Sequence, residues 1–367
     1  MSGTSLDGID VAIANISGVD ESTKVNFIEG VTIPWSEDTY LKIKQIISKE
    51  KITIDLISQL NYKISYEYYE AIKLLCKKTK INIEEIDFVS IHGQTVWHDP
   101  KNNETPSTLQ LGSGAVLSAL LKTTVISNFR LKDIVLGGEG APLVPVFDKL
   151  IFSSKNKQIA AHNLGGISNL TLLKNKEIVL AFDTGPSNMM IDYFTKELFD
   201  LPYDNNGDIA QTGKCIKEMY KEVMSLNYFK LKPPKSTGRE LFGDHYCKYL
   251  MNKYKGYNKE DYIKTASDIT IDSIVNSYKY LEDKYGKIDE IIFSGGGAHN
   301  KYIIHEIKRK LANIDVTYSS KYNVDIDFKE AIAFIILGNQ TYKLRKTSLA
   351  QATGSKESVI LGDISYY

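Results

Sequence analysis

The sequence has few cysteines and no long apolar run, and both absences limit the class of protein. Its three cysteines, Cys76, Cys215 and Cys247, lie far apart and form no CxxC pair. An odd number at such spacing predicts neither a disulfide framework nor a zinc knuckle, and it favours a reducing compartment. The longest apolar run covers only residues 331–337, whereas a membrane-spanning helix needs ~20 such residues.

An excess of charge of either sign is also missing. The 45 Lys and Arg residues balance 45 Asp and Glu residues, so the formal net charge is zero. This balance removes the usual electrostatic argument for a nucleic-acid or anionic-membrane partner. The first residues show no basic segment followed by an apolar one, so no secretion signal is predicted. We therefore expect a soluble cytoplasmic protein, with no nucleic acid and no membrane as partner.

Several common catalytic and binding motifs are absent. The sequence contains no GxxxxGK[ST], GxGxxG, HExxH or GxSxG. A Walker-type phosphate loop is thereby excluded. The six histidines show no pair at metal-ligand spacing on one helix face, so no structural zinc is predicted.

The pattern of apolar residues predicts an α/β protein. Short apolar runs at 88–91, 124–126, 159–161, 178–182 and 291–293 end at glycine or polar residues, as buried strands do. Between 56 and 75, apolar residues recur every three or four positions, which indicates an amphipathic helix. A chain of 367 residues exceeds the roughly 250 to 300 at which single cores stop growing, so two lobes are expected.

Four turns rich in Gly, Ser, Thr and Asp stand next to predicted strands, where backbone N–H groups can converge on an anion. Their sequences are GTSLDG at 3–8, GGISN at 165–169, DTGPSN at 183–188 and GGGAHN at 295–300. The first two suit phosphates, although an ordinary hairpin turn has the same composition as the first. In the first turn, Asp7 could hold a Mg²⁺-bound water.

The last two turns suit other parts of a ligand site. Asp183 ends a buried strand and precedes a helix predicted over 189–199, which makes it the best candidate for a general base. Capping of that helix is an equally open role for it. The three glycines at 295–297 would let a nucleotide base or ribose approach the backbone. A further stretch, 231–240, contains two prolines and three cations, and it is predicted to be a solvated loop.

Together, two phosphate-type turns in two lobes and a late glycine-rich turn describe an ATP cleft between homologous domains. In this combination the sequence resembles the sugar kinase, Hsp70 and actin superfamily. More narrowly, it resembles the anhydro-N-acetylmuramic acid kinase family. The matching stretches are MSGTSLDGID at 1–10, HGQTVWHDP at 92–100, TLQLG at 108–112, NFRLKDIVLGGEGAPLVP at 128–145, HNLGGISNLT at 162–171, FDTGPSNMMID at 182–192, KPPKSTGRE at 232–240, GGGAHN at 295–300 and KEAIAF at 329–334.

The resemblance implies a two-lobed actin-like ATPase (ribonuclease H-like) fold with the active site in the interdomain cleft. The N-terminal lobe would comprise residues 1–158 and 341–367, with a phosphate turn and part of the sugar site. The C-terminal lobe would comprise residues 159–340, with the catalytic Asp, the second phosphate turn and the adenosine site. In that family a short strand precedes the first turn, so either residues lie upstream of Met1 or that strand is lost. The resemblance also allows a homodimer.

The activity that the resemblance implies is ATP-dependent hydrolytic ring opening and 6-phosphorylation of 1,6-anhydro-N-acetylmuramic acid. The product would be N-acetylmuramate 6-phosphate, formed in peptidoglycan recycling. Its cofactors would be ATP and Mg²⁺, with the metal held by the ATP phosphates and Asp7 as a candidate ligand. The implied site residues are Asp183 for catalysis, Gly3, Thr4, Ser5, Leu6, Asp7, Gly8, Ile9, Asp10, Gly165, Gly166, Gly295, Gly296, Gly297 and Asn300 for ATP, and Arg130, Asp133, Glu330, His92 and Gln94 for the sugar.

Two alternatives stay open at the level of sequence. One is a kinase for another amino sugar, which would release ADP with an ordinary hexosamine but not with the anhydro sugar. The other is a catalytically inactive relative that binds a nucleotide or a sugar, which would bind ATP without turnover.

Overall fold

A computed structural model describes residues 1–2, 8–102 and 104–367 of the chain. The chain divides into two compact units, the first formed by Met1–Ile151 and Phe328–Tyr367 and the second by Phe152–Asp327. The predicted lobes divide at 158/159 and 340/341, which puts Glu330 in the C-terminal lobe. In the structure, Glu330 belongs to the first unit. Residues 3–7, which form most of the first predicted phosphate turn, lie outside the described residues.

The described part of the first unit contains seven strands and seven α-helices, of which α5 extends one residue into the second unit. They are β1 (Ile9–Ser17), β2 (Lys24–Ile33), α1 (Glu37–Ile47), α2 (Ile54–Thr79), β3 (Val89–Ser90), β4 (Gln94–Asp99), β5 (Ser107–Leu111), α3 (Gly114–Leu121), β6 (Val125–Ser127), α4 (Leu131–Val135), α5 (Val144–Phe152), α14 (Lys329–Tyr342), α15 (Ala350–Thr353) and β12 (Asp363–Ser365). β1 and β2 pair as an antiparallel hairpin, β4 pairs with β5, and β6 lies between β3 and β12.

Helix α2 confirms the prediction made from the apolar period over 56–75. The Thr53 side chain accepts a hydrogen bond from the N–H of Leu56 and caps the start of the helix. Lys80 ends the helix in the left-handed conformation. The buried face of α2 packs into the core of this unit together with Ile9 of β1 and Ile43 of α1.

A cavity of about 100 Å³ lies beside β1, β3 and α14 of the first unit. Apolar side chains supply most of its wall, among them Ile9, Ile91 and Phe334. The cavity belongs to the first unit alone, because its lining residues all lie within 1–151 or 328–367.

The second unit is built on one five-stranded sheet. Its strands are β7 (Ile159–Leu164), β8 (Ile167–Lys174), β9 (Glu177–Pro186), β10 (Glu290–Ser294) and β11 (Asp315–Tyr318). Its helices are α6 (Asn188–Phe199), α7 (Asp208–Thr212), α8 (Lys217–Met224), α9 (Asn227–Lys230), α10 (Arg239–Phe242), α11 (Asp244–Lys253), α12 (Lys259–Tyr285) and α13 (Lys301–Lys310). Short 3₁₀ helices lie at Gly296–His299 and Ser319–Tyr322.

The strand order of this sheet is β11-β10-β7-β8-β9. β7, β8 and β9 are successively antiparallel, whereas β10 is parallel to both β7 and β11. The first strand, β7, is thus extended by two antiparallel strands on one side, and on the other side by β10 and then β11, which run parallel to it. This is the ribonuclease H-like arrangement, so the predicted fold class is confirmed for the second unit. β7, β9, β10 and β11 all run in one direction, and their carboxyl ends therefore meet at a single edge of the sheet.

Helix α12 is the central helix of the second unit. A capping box between Asn258 and Asp261 fixes its start, and Gly286 ends it. Side chains such as Ile263, Ile274 and Tyr278 are fully buried in the core against the sheet. Across the described part of the chain, α12 included, we find no helix that combines the length and the apolar character needed to cross a membrane.

Candidate functional site

The carboxyl edge of the second sheet gathers three of the four predicted turns. Residues 165–166 link β7 to β8, residues 183–186 end β9, and residues 295–297 follow β10. The N–H of Ser187 donates to the carbonyl of Gly166 at 3.0 Å, and the N–H of Asn188 donates to that of Gly165 at 3.1 Å. Asn163 pairs with Ser294 in the sheet register. The structure thus brings together loops that are far apart in sequence.

The three glycines at 295–297 are not equivalent. Gly295 has a φ of +82°, and a Cβ there would lie 2.7 Å from Oδ1 of Asn163. A Cβ on Gly297 would lie 2.8 Å from Oδ1 of Asn188. At Gly296 the nearest atom would be 3.8 Å away, which is ordinary contact. Packing within the unit therefore requires glycine at 295 and 297, and only Gly296 keeps a face that a ligand could approach.

The turn between β7 and β8, like Gly296, has space beside its glycines that a ligand could occupy. A Cβ on Gly165 or Gly166 would meet nothing closer than 3.4 Å. Neither residue has a positive φ, so conformation does not require glycine there. Backbone N–H groups in such a turn can approach a phosphate closely because no side chain intervenes. Asn300, by contrast, uses its Oδ1 to cap α13 by accepting from the N–H of Ile303.

Asp183 lies near the end of β9 and makes two hydrogen bonds to the loop at 231–240 and one to α9. Its N–H donates to the carbonyl of Lys235 at 3.0 Å. Its Oδ2 accepts from the N–H of Thr237 at 2.9 Å. Its carbonyl accepts from the hydroxyl of Tyr228. The alternative role as a helix cap is wrong, because α6 begins at Asn188 and Ser187 occupies the N-cap position.

The environment of the Asp183 carboxyl makes it easier to protonate than an exposed carboxyl. Burial raises its pKa to about 6, the hydrogen bond from the Thr237 N–H lowers it, and the charge of Glu240 raises it. A carboxylate with such a pKa is ionised at neutral pH but is a stronger base than an exposed one. This combination is typical of a general base.

The loop at 231–240 is the part of the site that sequence reasoning missed. It is predicted to be solvated, yet Lys235 and Thr237 are half-buried. The Lys235 ammonium donates to the carbonyl of Tyr228 at 3.1 Å and lies 4.4 Å from the centre of the Tyr228 ring. Burial lowers the pKa of Lys235. No local pattern pairs this loop with Asp183. The signals in the sequence are its two prolines, which favour a fixed backbone, and the match of KPPKSTGRE at 232–240 to the family.

A second polar group lies within the first unit and contains several predicted sugar-site residues. The guanidinium of Arg130 donates to Nε2 of His92 at 3.0 and 2.7 Å and to the carbonyl of Gly140. Nδ1 of His92 faces the carbonyl of Ser2 at 3.2 Å. Burial and the neighbouring guanidinium hold the pKa of His92 well below its usual value. A neutral His92 with its proton on Nδ1 therefore orients Arg130.

Two carboxylates belong to the same group. Burial raises the pKa of Glu330, and the nearby charge of Asp10 raises it further, while Lys329 and Arg130 lower it. Oδ1 of Asp10 accepts from the hydroxyl of Thr32 at 2.7 Å. Arg130, His92, Glu330 and Asp10 thus form a charged group of the kind that binds a polar, hydroxyl-bearing ligand.

Other predicted residues of this unit serve its internal structure. Asp133 is fully buried, and its two oxygens accept from the N–H of Gly140 at 2.7 Å and from the hydroxyl of Thr353 at 2.8 Å. Gln94 is also buried and donates to the carbonyl of Thr95. Asp133 therefore positions the loop that Arg130 contacts, and a direct bond from Asp133 or Gln94 to a ligand stays a prediction.

The remaining predicted ATP residues are tied to the hairpin. Ile9 belongs to the apolar core of the first unit. A Cβ on Gly8, whose φ is +154°, would lie 2.4 Å from the carbonyl oxygen of Ile33. Gly3, Thr4, Ser5, Leu6 and Asp7 lie outside the described residues. Among residues 1–2, 8–102 and 104–367, no group of three His, Cys, Asp or Glu side chains is placed to hold a metal.

Comparison with solved structures gives only a weak likeness. One example is component A of the (R)-2-hydroxyglutaryl-CoA dehydratase of Acidaminococcus fermentans, with a TM-score of 0.43 and 9% identity over 89% of this chain and 96% of that one. A similarity at that level does not establish a shared fold. The fold of the second unit is defined by its strand order, β11-β10-β7-β8-β9.

Comparison with known sequences is far stronger. The family model described as anhydro-N-acetylmuramic acid kinase matches residues 1–367. The anhydro-N-acetylmuramic acid kinase of Clostridioides difficile (strain 630) is 45% identical over 370 residues, which cover 100% of this chain and 97% of that protein. The same kinase of Bacillus cereus (strain 03BB102) is 41% identical over 373 residues, covering 100% and 98%. This full-length agreement, together with the ordered motifs and the sheet that positions them, shows that the chain belongs to the anhydro-N-acetylmuramic acid kinase family.

Proposed function

We propose that the chain uses ATP and water to convert 1,6-anhydro-N-acetylmuramic acid into N-acetylmuramate 6-phosphate, as a cytoplasmic step of peptidoglycan recycling. Family membership over residues 1–367 supports this substrate. The observation that carries the proposal is the position of Asp183. It lies at the carboxyl edge of the sheet, the edge that also carries two open glycine turns, and burial raises its pKa to about 6.

The glycine turns are the proposed nucleotide site of the second unit. Gly165 and Gly166 offer backbone N–H groups to phosphate oxygens, and Gly296 offers a face free of side chains to the adenosine. The predicted turn at 3–8, with Asp10 beside it, would add further phosphate contacts. Mg²⁺ would arrive bound to the ATP phosphates, where it neutralises charge on the transferred group. No described residue is assigned to the metal.

The sugar would be bound by the charged group of the first unit. Arg130 keeps its charge at neutral pH, because burial lowers its pKa only to about 10. A guanidinium held by a neutral His92 matches the carboxylate of a muramic acid. Glu330 can accept hydrogen bonds from sugar hydroxyls. His92 and Asp133 would act by orienting Arg130 and its loop.

The reaction needs one base and no covalent nucleophile. A water oxygen attacks the anomeric carbon C1, and the bond between C1 and the bridging oxygen breaks. That oxygen, still attached to C6, attacks the γ-phosphorus, and the bond to the leaving ADP breaks. Asp183 takes one proton of the water and releases it to solvent. Sugar, water and ATP thus give sugar 6-phosphate, ADP and one proton.

Turnover in ¹⁸O-labelled water tests this proposal. The chain is incubated with ATP and the anhydro sugar, and the products are analysed by mass spectrometry. We expect equal amounts of ADP and sugar 6-phosphate, with no ¹⁸O in the phosphoryl group, because its bridging oxygen comes from the sugar. Labelled inorganic phosphate without phosphosugar would contradict the proposal. ADP release with an ordinary hexosamine but not with the anhydro sugar would identify another amino sugar as the substrate. ATP binding without turnover would identify an inactive relative.

A further inference from the structure

The hydroxyl of Thr237 is an unexplained polar atom beside Asp183. The N–H of this residue donates to Oδ2 of Asp183 at 2.9 Å. Its Oγ1 is shielded from solvent and has no hydrogen-bond partner within the described residues. Leaving a buried hydroxyl unpaired costs about 1–3 kcal/mol. A role in holding Asp183 does not explain this cost, since the backbone N–H alone makes that bond.

The loop around Thr237 is anchored by hydrogen bonds, so the hydroxyl is not in a flexible segment. The carbonyl of Lys235 accepts from the N–H of Asp183, and the Lys235 ammonium contacts the carbonyl and the ring of Tyr228. Tyr228 in turn donates to the carbonyl of Asp183. The backbone of residues 235–237 is therefore fixed relative to the carboxylate. Because N and Oγ1 belong to one residue, an oxygen that bonds to Oγ1 is held close to the Asp183 carboxyl.

We propose that Thr237 Oγ1 binds the water molecule that Asp183 deprotonates. This inference rests on the proposed function and names the second residue that contacts its nucleophile. The water would donate one hydrogen to Asp183 and the other to Thr237 Oγ1. Its lone pair would then point away from both, toward the anomeric carbon. The proton moves only to Asp183, and Thr237 keeps its own.

The test compares Thr237→Val with Thr237→Ser. Valine has nearly the same shape and keeps the backbone N–H, so Asp183 stays in place, but the hydroxyl is lost. We expect kcat to fall about 10- to 100-fold, with little change in the KM for ATP, in the melting temperature or in the pH midpoint of kcat/KM. Serine restores the hydroxyl and should restore kcat to within a few-fold. Thr237→Ala serves as a second variant without the hydroxyl, with the same loss expected.

Tyr246→Phe is the matched control, because the Tyr246 hydroxyl is also buried without a hydrogen-bond partner among the described residues. It lies on α11 and should leave kcat unchanged. If the wild type turns over the anhydro sugar and Thr237→Val keeps kcat within two-fold, the inference is overturned and the proposed function stands. If Thr237→Val loses kcat together with a shift in the pH midpoint of kcat/KM or a lower melting temperature, the inference is likewise overturned and the proposed function stands. A wild-type chain without turnover would overturn the proposed function and this inference with it.

Discussion

Gly297 packs so closely against Asn188 that a Cβ at 297 would come within 2.8 Å of the Asn188 Oδ1. A Cβ on Gly296, one residue earlier, would lie 3.8 Å from the nearest atom. Neighbouring glycines in one turn thus have different reasons to be glycine. One is required by the fold, and the other leaves room for a ligand.

This difference predicts opposite outcomes for two alanine substitutions. Gly297→Ala should lower the free energy of unfolding by about 1–3 kcal/mol through overpacking. Gly296→Ala should leave the melting temperature unchanged but weaken ATP binding about tenfold, because its methyl group occupies the approach to the turn. Calorimetry with ATP and thermal unfolding of both variants check this. Normal ATP affinity in Gly296→Ala would argue against a nucleotide at this turn.

The pKa of Asp183 predicts how activity depends on pH. The base must be ionised, so kcat/KM for the sugar should rise with pH through a midpoint near 6 and then level off. Burial and the charge of Glu240 raise this pKa, while the Thr237 N–H lowers it. Glu240→Gln should therefore move the midpoint to lower pH. A profile that is flat between about pH 5 and 8 would contradict a carboxylate base with this pKa.

The buried carboxylate of Glu290 predicts loss of stability in acid. It lies at the start of β10, at the sheet edge opposite Asp183, and accepts from Lys157 at 2.9 Å, Lys321 at 2.8 Å and Tyr322 at 3.0 Å. Burial raises the pKa of Glu290, but these hydrogen bonds outweigh burial and lower the pKa from its ordinary value of 4.5 to about 2. A depressed folded-state pKa means that its stabilisation is complete above the unfolded value and is lost as pH falls from there toward 2.

Unfolding by urea between pH 3 and 7 checks this expectation. Glu290→Gln should lower stability at pH 7 by about 1–3 kcal/mol, the scale of charge-assisted hydrogen bonds, and should flatten the acid side of the curve. Turnover at pH 7 should stay near that of the wild type. An unchanged acid slope in the variant would show that other carboxylates control this loss.

The buried ion pair between Lys329 and Asp148 predicts a strongly non-additive mutant cycle. Nζ of Lys329 lies 2.7 Å from Oδ1 of Asp148, and both side chains are at most 3% exposed. Asp148→Ala should cost about 3–5 kcal/mol because it leaves a buried cation. Replacing the pair by Asp148→Leu and Lys329→Met together should recover most of that loss. Additive effects in denaturant unfolding would mean that the pair does not behave as a unit.

Much of the fold could be predicted from local patterns. The strand predicted at 291–293 is β10, the helix predicted at 189–199 is α6, and the helix period at 56–75 is α2. Each depends on apolar spacing within one element, which single-sequence reasoning can detect. The position of Asp183 could also be predicted, since the carboxyl ends of parallel strands meet at one edge.

Contacts between distant segments could not be predicted. The bond between Thr237 and Asp183 joins residues 54 positions apart, and no motif pairs them. The Lys329–Asp148 pair depends on two helices meeting in the core. The two compact units also divide at other residues than the predicted lobes, because α14 packs against β1, β3 and β6 of the first unit. Apolar pattern shows that a helix is amphipathic but not which sheet it covers. The site in a cleft between the lobes and the homodimer stay predictions.

The most direct test of the account is the turnover of Asp183→Asn with ATP and the anhydro sugar. Asparagine keeps the shape of the side chain but cannot accept the proton of the water. We expect kcat to fall about 10²- to 10⁴-fold, while calorimetry shows ATP affinity within two-fold of the wild type. A variant that retains near-normal turnover in a coupled ADP-release assay would contradict Asp183 as the base.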